Sequence, residues 1–220
     1  MCGRYNITDL PGLQQLLDMV GIDLQLPPPR YNIAPTEDVL LLYDGKGGLA
    51  RWWLTPSWAT EVSTKYSMFN ARCETLTKSR AFQKPFKSQR GIVPMSSFIE
   101  WRTDDGLKQP WLITNEAHTL AVAALWDVWQ GEDAPLLSCT IVTTEAAPAF
   151  KPWHNRMPVM LGQTEIPRWM DNSTEVPPND PLFRPELKYD LTLHPLSKTV
   201  GNARNKDPRT MEPFGDPVYL

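Results

Sequence analysis

The sequence has little that would staple it, anchor it in a membrane or load it with metal. It holds three cysteines, Cys2, Cys73 and Cys139, among 220 residues. An odd number without Cys-x-x-Cys or Cys/His ligand spacing argues against a disulfide framework and against structural zinc, and fits a reducing compartment. No run approaches the roughly 18 apolar residues that a membrane span needs. The N-terminus lacks the apolar core of a signal peptide, so no membrane association and a cytoplasmic location are expected. There is no glycine-rich phosphate loop, no G-x-S-x-G and no H-E-x-x-H, and nothing calls for a cofactor. Positive charge is not in excess either: the formal net charge is -3, so a nucleic-acid site would have to be a local Arg/Lys patch on a mildly acidic body. Finally, there is neither an internal repeat nor a regular alternation of strands and helices, which argues against a doubly wound fold.

What is abundant is tryptophan and proline, 9 and 22 residues, in a chain that is 41% hydrophobic. Proline favours strand edges and rigid loops over helix interiors. Thr8 or Asp9 can cap a helix whose Leu13, Leu16, Leu17 and Val20 recur at helical spacing. Strands are expected at 39–43 and 49–54 around a turn at Asp44–Gly48, then at 91–94, 98–102, 110–114, 120–126, 136–144, 159–161 and 191–194. Short helices are expected through Arg80, Phe82 and Phe86 and over 166–170. The stretch 176–185 reads as a surface loop. The expected class is α+β: eight to ten mostly antiparallel strands with a few peripheral short helices. Residues 1–220 read as a single domain ending in a loosely ordered tail, 205–220.

Cys2 is the residue with unusual chemistry. Removal of Met1 would leave an α-amine and a thiol on adjacent carbons, with reference pKa values of roughly 8 and 8.5. Such a 1,2-aminothiol condenses with an aldehyde, the amine forming a Schiff base and the thiolate closing a thiazolidine ring. Glu100 sits among Phe98, Ile99 and Trp101, where burial would raise its pKa and suit it to proton transfer; an exposed edge position or an Arg partner is the alternative. His154 lies in an irregular loop ahead of a strand, whereas His118 and His194 read as solvated and structural. Asn70 and Arg72 share a side at period two and suit a sugar–phosphate. Arg4, Arg72, Arg156 and Arg204, with Trp52, Trp53, Trp58 and Trp101, could line a basic groove with stacking platforms. Cys73 and Cys139 read as buried.

Several stretches, in order, resemble the SOS-response-associated peptidase (SRAP) family of abasic-site crosslinking proteins. They are Met1-Cys2-Gly3-Arg4; Arg30-Tyr31-Asn32-Ile33-Ala34-Pro35; the tryptophan corner Trp52 to Trp58 with Ala59; Asn70-Ala71-Arg72-Cys73-Glu74-Thr75; Phe98-Ile99-Glu100-Trp101; His154-Asn155-Arg156-Met157-Pro158; and Val200-Gly201-Asn202. The resemblance implies a β-rich, open-barrel-like fold that traps abasic sites in single-stranded DNA. It implies Cys2 as nucleophile, Asn70 positioning the amine and the opened sugar, Glu100 shuttling protons and His154 assisting ring opening. Arg4, Arg72 and Arg156 would hold phosphates, and Trp58 and Trp101 would contact bases. A nucleoid-associated location in a bacterium and the replication machinery as a partner are expected; no amphipathic surface calls for a dimer, so a monomer is expected. Two positions depart from the family pattern, Trp53 and Ser97, where the family usually has glycine; they put the groove shape and the placement of Glu100 in question.

Two other readings stay open from the residues alone. One is a peptidase or self-processing peptidase with Cys2 as N-terminal nucleophile. The other is a module that binds single-stranded or modified DNA without a covalent bond.

Overall fold

The computed structural model describes residues 3–131 and 134–220. In chain order these form β1 (Tyr5–Ile7), α1 (Leu10–Val20), β2 (Arg30–Ile33), β3 (Asp38–Tyr43), β4 (Lys46–Trp52), β5 (Asn70–Arg72), α2 (Gln83–Ser88), β6 (Arg90–Met95), β7 (Ser97–Asp104), β8 (Leu107–Thr114), β9 (Leu120–Gln130), β10 (Pro135–Glu145), β11 (Arg156–Pro158), α3 (Glu165–Met170), β12 (Thr192–Pro195) and β13 (Val218–Tyr219). The expected α+β, mainly antiparallel architecture is present. The strands beyond those expected, β2, β5 and β13, are pieces of two to four residues, too short for a period-two pattern to declare itself.

Two sheets make the body. One runs β13-β12-β8-β7-β1-β2 and the other β11-β10-β4-β3-β6-β9. Because β9 also pairs with β10 from Pro135↔Gln130 to Ile141↔Ala124, the strands β10, β4, β3, β6 and β9 close into a barrel-like ring. Its narrowest seam is β3 to β6, joined at Leu42↔Ile92. The two parallel contacts both involve β10, with β4 and with β5. A continuous apolar core fills the interior, with Trp52 and Trp169 among its largest fully buried side chains.

Local sequence explains most boundaries. Asp9 caps α1, its carboxylate accepting the Gly12 N–H at 2.9 Å, and Gly21 ends the helix at φ 67°. The β3–β4 turn is tighter than expected: Asp44 and Gly45 alone make it, at φ 46° and 70°, so Tyr43 pairs with Lys46. Both central residues need positive φ, which Asp tolerates and glycine adopts freely. Gly47 and Gly48 therefore belong to β4, where Leu24 and the Tyr43 ring lie over them. The strand expected at 159–161 is also displaced: pairing with β10 falls on Arg156–Pro158, and Met160 makes one bridge to Val122.

The proline-rich 176–185 stretch buries Val176, Leu182 and Phe183 in the core rather than lying on the surface. The fully buried Arg90 holds this side together. It donates to the carbonyls of Phe86, Lys87, Trp169, Asp171 and Thr174, satisfying the ends of α2 and α3. The segment 205–220, expected to be loose, is tied to the body. The Asn205 carbonyl accepts the Asn32 Nδ2–H, Lys206 Nζ donates to the Asn32 carbonyl, and β13 pairs with β12.

Candidate functional site

β7 is the element that organises the candidate site. Its first half is buried and its second half emerges to solvent. Phe98, Glu100 and Arg102 lie at alternate positions and so share one face. The Phe98 ring is 6.1 Å from that of Phe150, and the Arg102 guanidinium lies 5.5 Å from the Trp153 ring centroid. Glu100 sits between them, facing the 150–154 segment that ends in His154. From the next strand, Trp111, paired with Glu100, meets Trp153 edge-on at 6.0 Å. The sequence expectation for Glu100 holds: it is 2% exposed, and burial pushes its carboxyl up to about 7.

The N-terminal strand runs along the same edge. The Arg4 carbonyl accepts the Ile99 N–H at 2.9 Å, and Tyr5 and Asn6 pair with Phe98 and Ser97. Cys2 lies outside the described residues. The Tyr5 ring packs edge-on to Trp52 at 5.4 Å, and Trp52 Nε1 donates to the Phe69 carbonyl at 2.8 Å. That bond anchors the residue before Asn70. Asn70 is itself 8% exposed and pairs in parallel with Ile141, which brings Arg72 opposite Thr143.

His154 is half-buried, and desolvation lowers its pKa, so the ring is neutral near pH 7. Its Nδ1 lies 3.0 Å from the Arg156 N–H and 2.9 Å from the Arg156 carbonyl. The two residues thus brace each other across the β11 start. Arg156 forks onto Glu74 at 2.7 and 3.0 Å and donates to the Thr143 carbonyl at 2.7 Å. Arg72, Thr143 and Arg156 therefore meet at one end of β10, with Arg72 exposed.

The other expected contacts divide. Trp58 is 48% exposed and carries the Arg80 guanidinium 4.1 Å above its ring. Its corner is pinned by Ser57 N–H to the buried Asp127 carboxylate at 2.7 Å and by Trp129 Nε1 to the Ala59 carbonyl at 2.7 Å. The corner closes through Leu54 N–H to the Met68 carbonyl, two residues from Asn70. Trp101 is half-buried, with Arg4 5.7 Å from its ring.

Arg4 itself is occupied. Nη1 donates to Asn32 Oδ1 and the Val200 carbonyl, and Nη2 to the Gly201 carbonyl. Trp53, at the first departure from the family pattern, packs on Phe69 at 5.3 Å. Ser97, at the second, is buried and accepts the Asn6 Nδ2–H at 2.8 Å. Cys73 and Cys139 are buried, as expected.

Sequence reading missed Arg80, Asp127 and Asn6, and named Glu74 only within a motif. Arg80 and Asp127 lie far along the chain from the tryptophan they support, and no local pattern marks them. Asn32 was quoted only as part of a motif.

The SOS response associated peptidase (SRAP) family model matches residues 1–203. Among similar proteins, "Abasic site processing protein YoqW" of Bacillus subtilis (strain 168) is 34% identical over 224 residues, covering 96% of this chain and 99% of the relative. "Abasic site processing protein HMCES" of Xenopus tropicalis is 30% identical over 186 residues, covering 73% of this chain and 55% of the relative. A crystal structure of a protein from Bacteroides thetaiotaomicron superposes with a TM-score of 0.74 at 19% identity, covering 97% of each chain; this likeness speaks to the fold.

Proposed function

The chain belongs to the SOS response associated peptidase (SRAP) family, and we propose that it captures abasic sites in single-stranded DNA as a covalent adduct on Cys2, after Met1 is removed. Relatives in both bacteria and vertebrates bear names for abasic site processing. The observation that carries the chemical reading is Glu100: a carboxyl beside the N-terminal strand, with its pKa raised to about 7 by burial. Near neutral pH it exists in both protonation states, as a group that must both give and take a proton requires.

The reaction follows from the groups. An abasic deoxyribose equilibrates between a ring-closed hemiacetal and an open aldehyde. Neutral His154, its Nδ1 engaged by the Arg156 backbone, exchanges the proton through Nε2 that ring opening requires. The Cys2 amine adds to C1′, giving a carbinolamine. Glu100 protonates the hydroxyl, which leaves as water, and an iminium forms. The Cys2 thiol returns a proton to Glu100 and adds as thiolate to C1′, nitrogen recovers its electron pair, and a thiazolidine results. The net loss is one water.

Asn70 holds the amine and the opened sugar with an amide that both donates and accepts. Exposed Arg72 and the Arg156 fork meet flanking phosphates. Trp58, stiffened by Arg80, offers a stacking face to a neighbouring base. No base needs extrusion at an abasic position, so little sequence preference is expected. We propose further that residues 1–220 act as one domain and as a monomer.

Intact-protein mass spectrometry tests this before and after mixing with single-stranded DNA bearing one abasic site. The expected product is Met1-free protein plus DNA minus water, stable to denaturation. Met1-free protein that forms no adduct would overturn the covalent reading.

A further inference from the structure

Behind β7, on the face opposite Glu100, lies a polar cluster that the chemistry above does not use. Asn32 is fully buried and sits at φ 51°, in the left-handed region that asparagine tolerates better than most side chains. It interrupts the β1–β2 register, where Tyr5 pairs with Ile33 but Ile7 with Arg30. Every polar atom it has is used. Its N–H donates to Asn6 Oδ1 at 2.7 Å, and Oδ1 accepts Arg4 Nη1 at 3.0 Å. Nδ2 lies within 3.1 Å of the carbonyls of Val200, Asn202 and Asn205, and the backbone carbonyl accepts Lys206 Nζ at 2.8 Å. Asn6 passes the connection on to Ser97 on β7. Arg4 closes it on the Val200 and Gly201 carbonyls.

We propose that Asn32, through Asn6, Ser97 and Arg4, is a positioning device for the N-terminal nucleophile, and that Arg4 serves as its strut rather than as a phosphate ligand. The device clamps β1 between β7 and the 200–206 segment. Val200 packs beside Ile99 in a small core of its own, directly behind Glu100. Gly3 and Arg4 are thereby fixed relative to the Glu100 carboxyl, and Cys2 is joined to Gly3 by a single peptide unit. A fully satisfied buried network has one low-energy arrangement, whereas a loosened one has several. Ring closure needs amine, thiolate and proton donor in register, and small misplacement is costly. On this reading Ser97, at a glycine position of the family pattern, adds an anchor: its hydroxyl is the acceptor that Asn6 uses.

This inference rests on the covalent reading, and the test separates the two. Single-turnover crosslinking to an abasic single-stranded oligonucleotide is measured over DNA concentration for wild type, Asn32→Asp, Arg4→Lys and Ser97→Ala. Asn32→Asp keeps the acceptor for Arg4 but loses the two N–H donors that the three carbonyls share. Arg4→Lys keeps the charge but loses the fork. Ser97→Ala removes one bond and is expected to fold normally. Urea denaturation establishes that each variant is folded. Labelling with glyoxylate, a small aldehyde that needs no positioning, shows that the free aminothiol is intact.

The expected result is a saturating rate reduced roughly ten- to a hundredfold in Asn32→Asp and Arg4→Lys and severalfold in Ser97→Ala. The half-saturating DNA concentration and glyoxylate labelling should stay unchanged. Wild-type saturating rates in the folded variants would overturn the positioning device alone. A raised half-saturation in Arg4→Lys at an unchanged saturating rate would make Arg4 a phosphate ligand and overturn its role as strut. No adduct in the wild type would overturn the covalent reading and this inference with it.

Discussion

Arg156 and Glu74 grip each other through two side-by-side hydrogen bonds of 2.7 and 3.0 Å across the end of β10. The arginine assigned to phosphate contact thus already has an anion, one that is 51% exposed and open to exchange. An exposed pair of this kind adds only about 0–1 kcal/mol to stability. Under the proposed function, its larger effect is to tune the charge that DNA meets.

Glu74→Gln is therefore expected to tighten single-stranded DNA binding severalfold and to steepen its salt dependence by up to about one counterion. Fluorescence anisotropy titrations at several salt concentrations check this. Unchanged affinity and slope would mean that Arg156 stays turned from DNA.

Cys2→Ala is expected to abolish the stable adduct. Cys2→Ser keeps the amine but closes a ring poorly, so it should leave a Schiff base that borohydride traps and dilution reverses. Denaturing gels with and without borohydride distinguish the two. A denaturation-stable adduct in Cys2→Ala would remove Cys2 from the chemistry.

Glu100 couples stability to pH. Its folded pKa is raised from the ordinary value to about 7. The stability it confers is fully present below the unfolded value near 4.5 and is lost as pH rises through about 7, on the order of 3 kcal/mol in all. Glu100→Gln, always neutral, should escape that loss. Urea unfolding at pH 5 and pH 8 should show the variant gaining on wild type by roughly 2–3 kcal/mol between the two. The same substitution should slow crosslinking, and the wild-type rate should bend near pH 7. A stability difference independent of pH would place the Glu100 pKa at its ordinary value.

Trp58→Ala should weaken single-stranded DNA binding by about 1–3 kcal/mol, the usual worth of one base stacked on an aromatic ring. Arg80→Ala should reproduce part of the loss, about 0.5–1 kcal/mol, by freeing the ring it covers. Neither should shift the melting temperature much, since both side chains are exposed. Full affinity in Trp58→Ala would move the stacking surface elsewhere.

The α1 face, the long strands β9 and β10 and the burial of Cys139 were legible in the sequence, because period and caps act over a few neighbours. The apolar flanks of Glu100 left burial and an exposed edge position both open, and the fold decided for burial. The tight turn at Asp44–Gly45 was misjudged by three residues. What lets Gly47 and Gly48 join β4 is the cover given by Tyr43 and Leu24, and neither the register nor the cover is local information. The burial of Leu182 and Phe183 was hidden for a similar reason: a proline-rich composition suggests a surface loop, while the ring contacts of Phe183 with Phe86 and Trp169 exist only after folding.

The sequence by itself determined the chemical inventory: a cysteine at position 2, a histidine in the loop ahead of β11, one carboxylate in an apolar strand, and the ordered motifs of a family. These are matters of residue type and short spacing. Only the tertiary structure decided what each group faces. It turned Arg4 inward to Asn32, gave Arg156 to Glu74, set Arg80 on Trp58, and brought the 200–206 segment behind Glu100. Asn32 stands 28 residues from Arg4, and Glu74 stands 82 from Arg156. Their meeting follows from sheet pairing and core closure, which involve the whole chain at once.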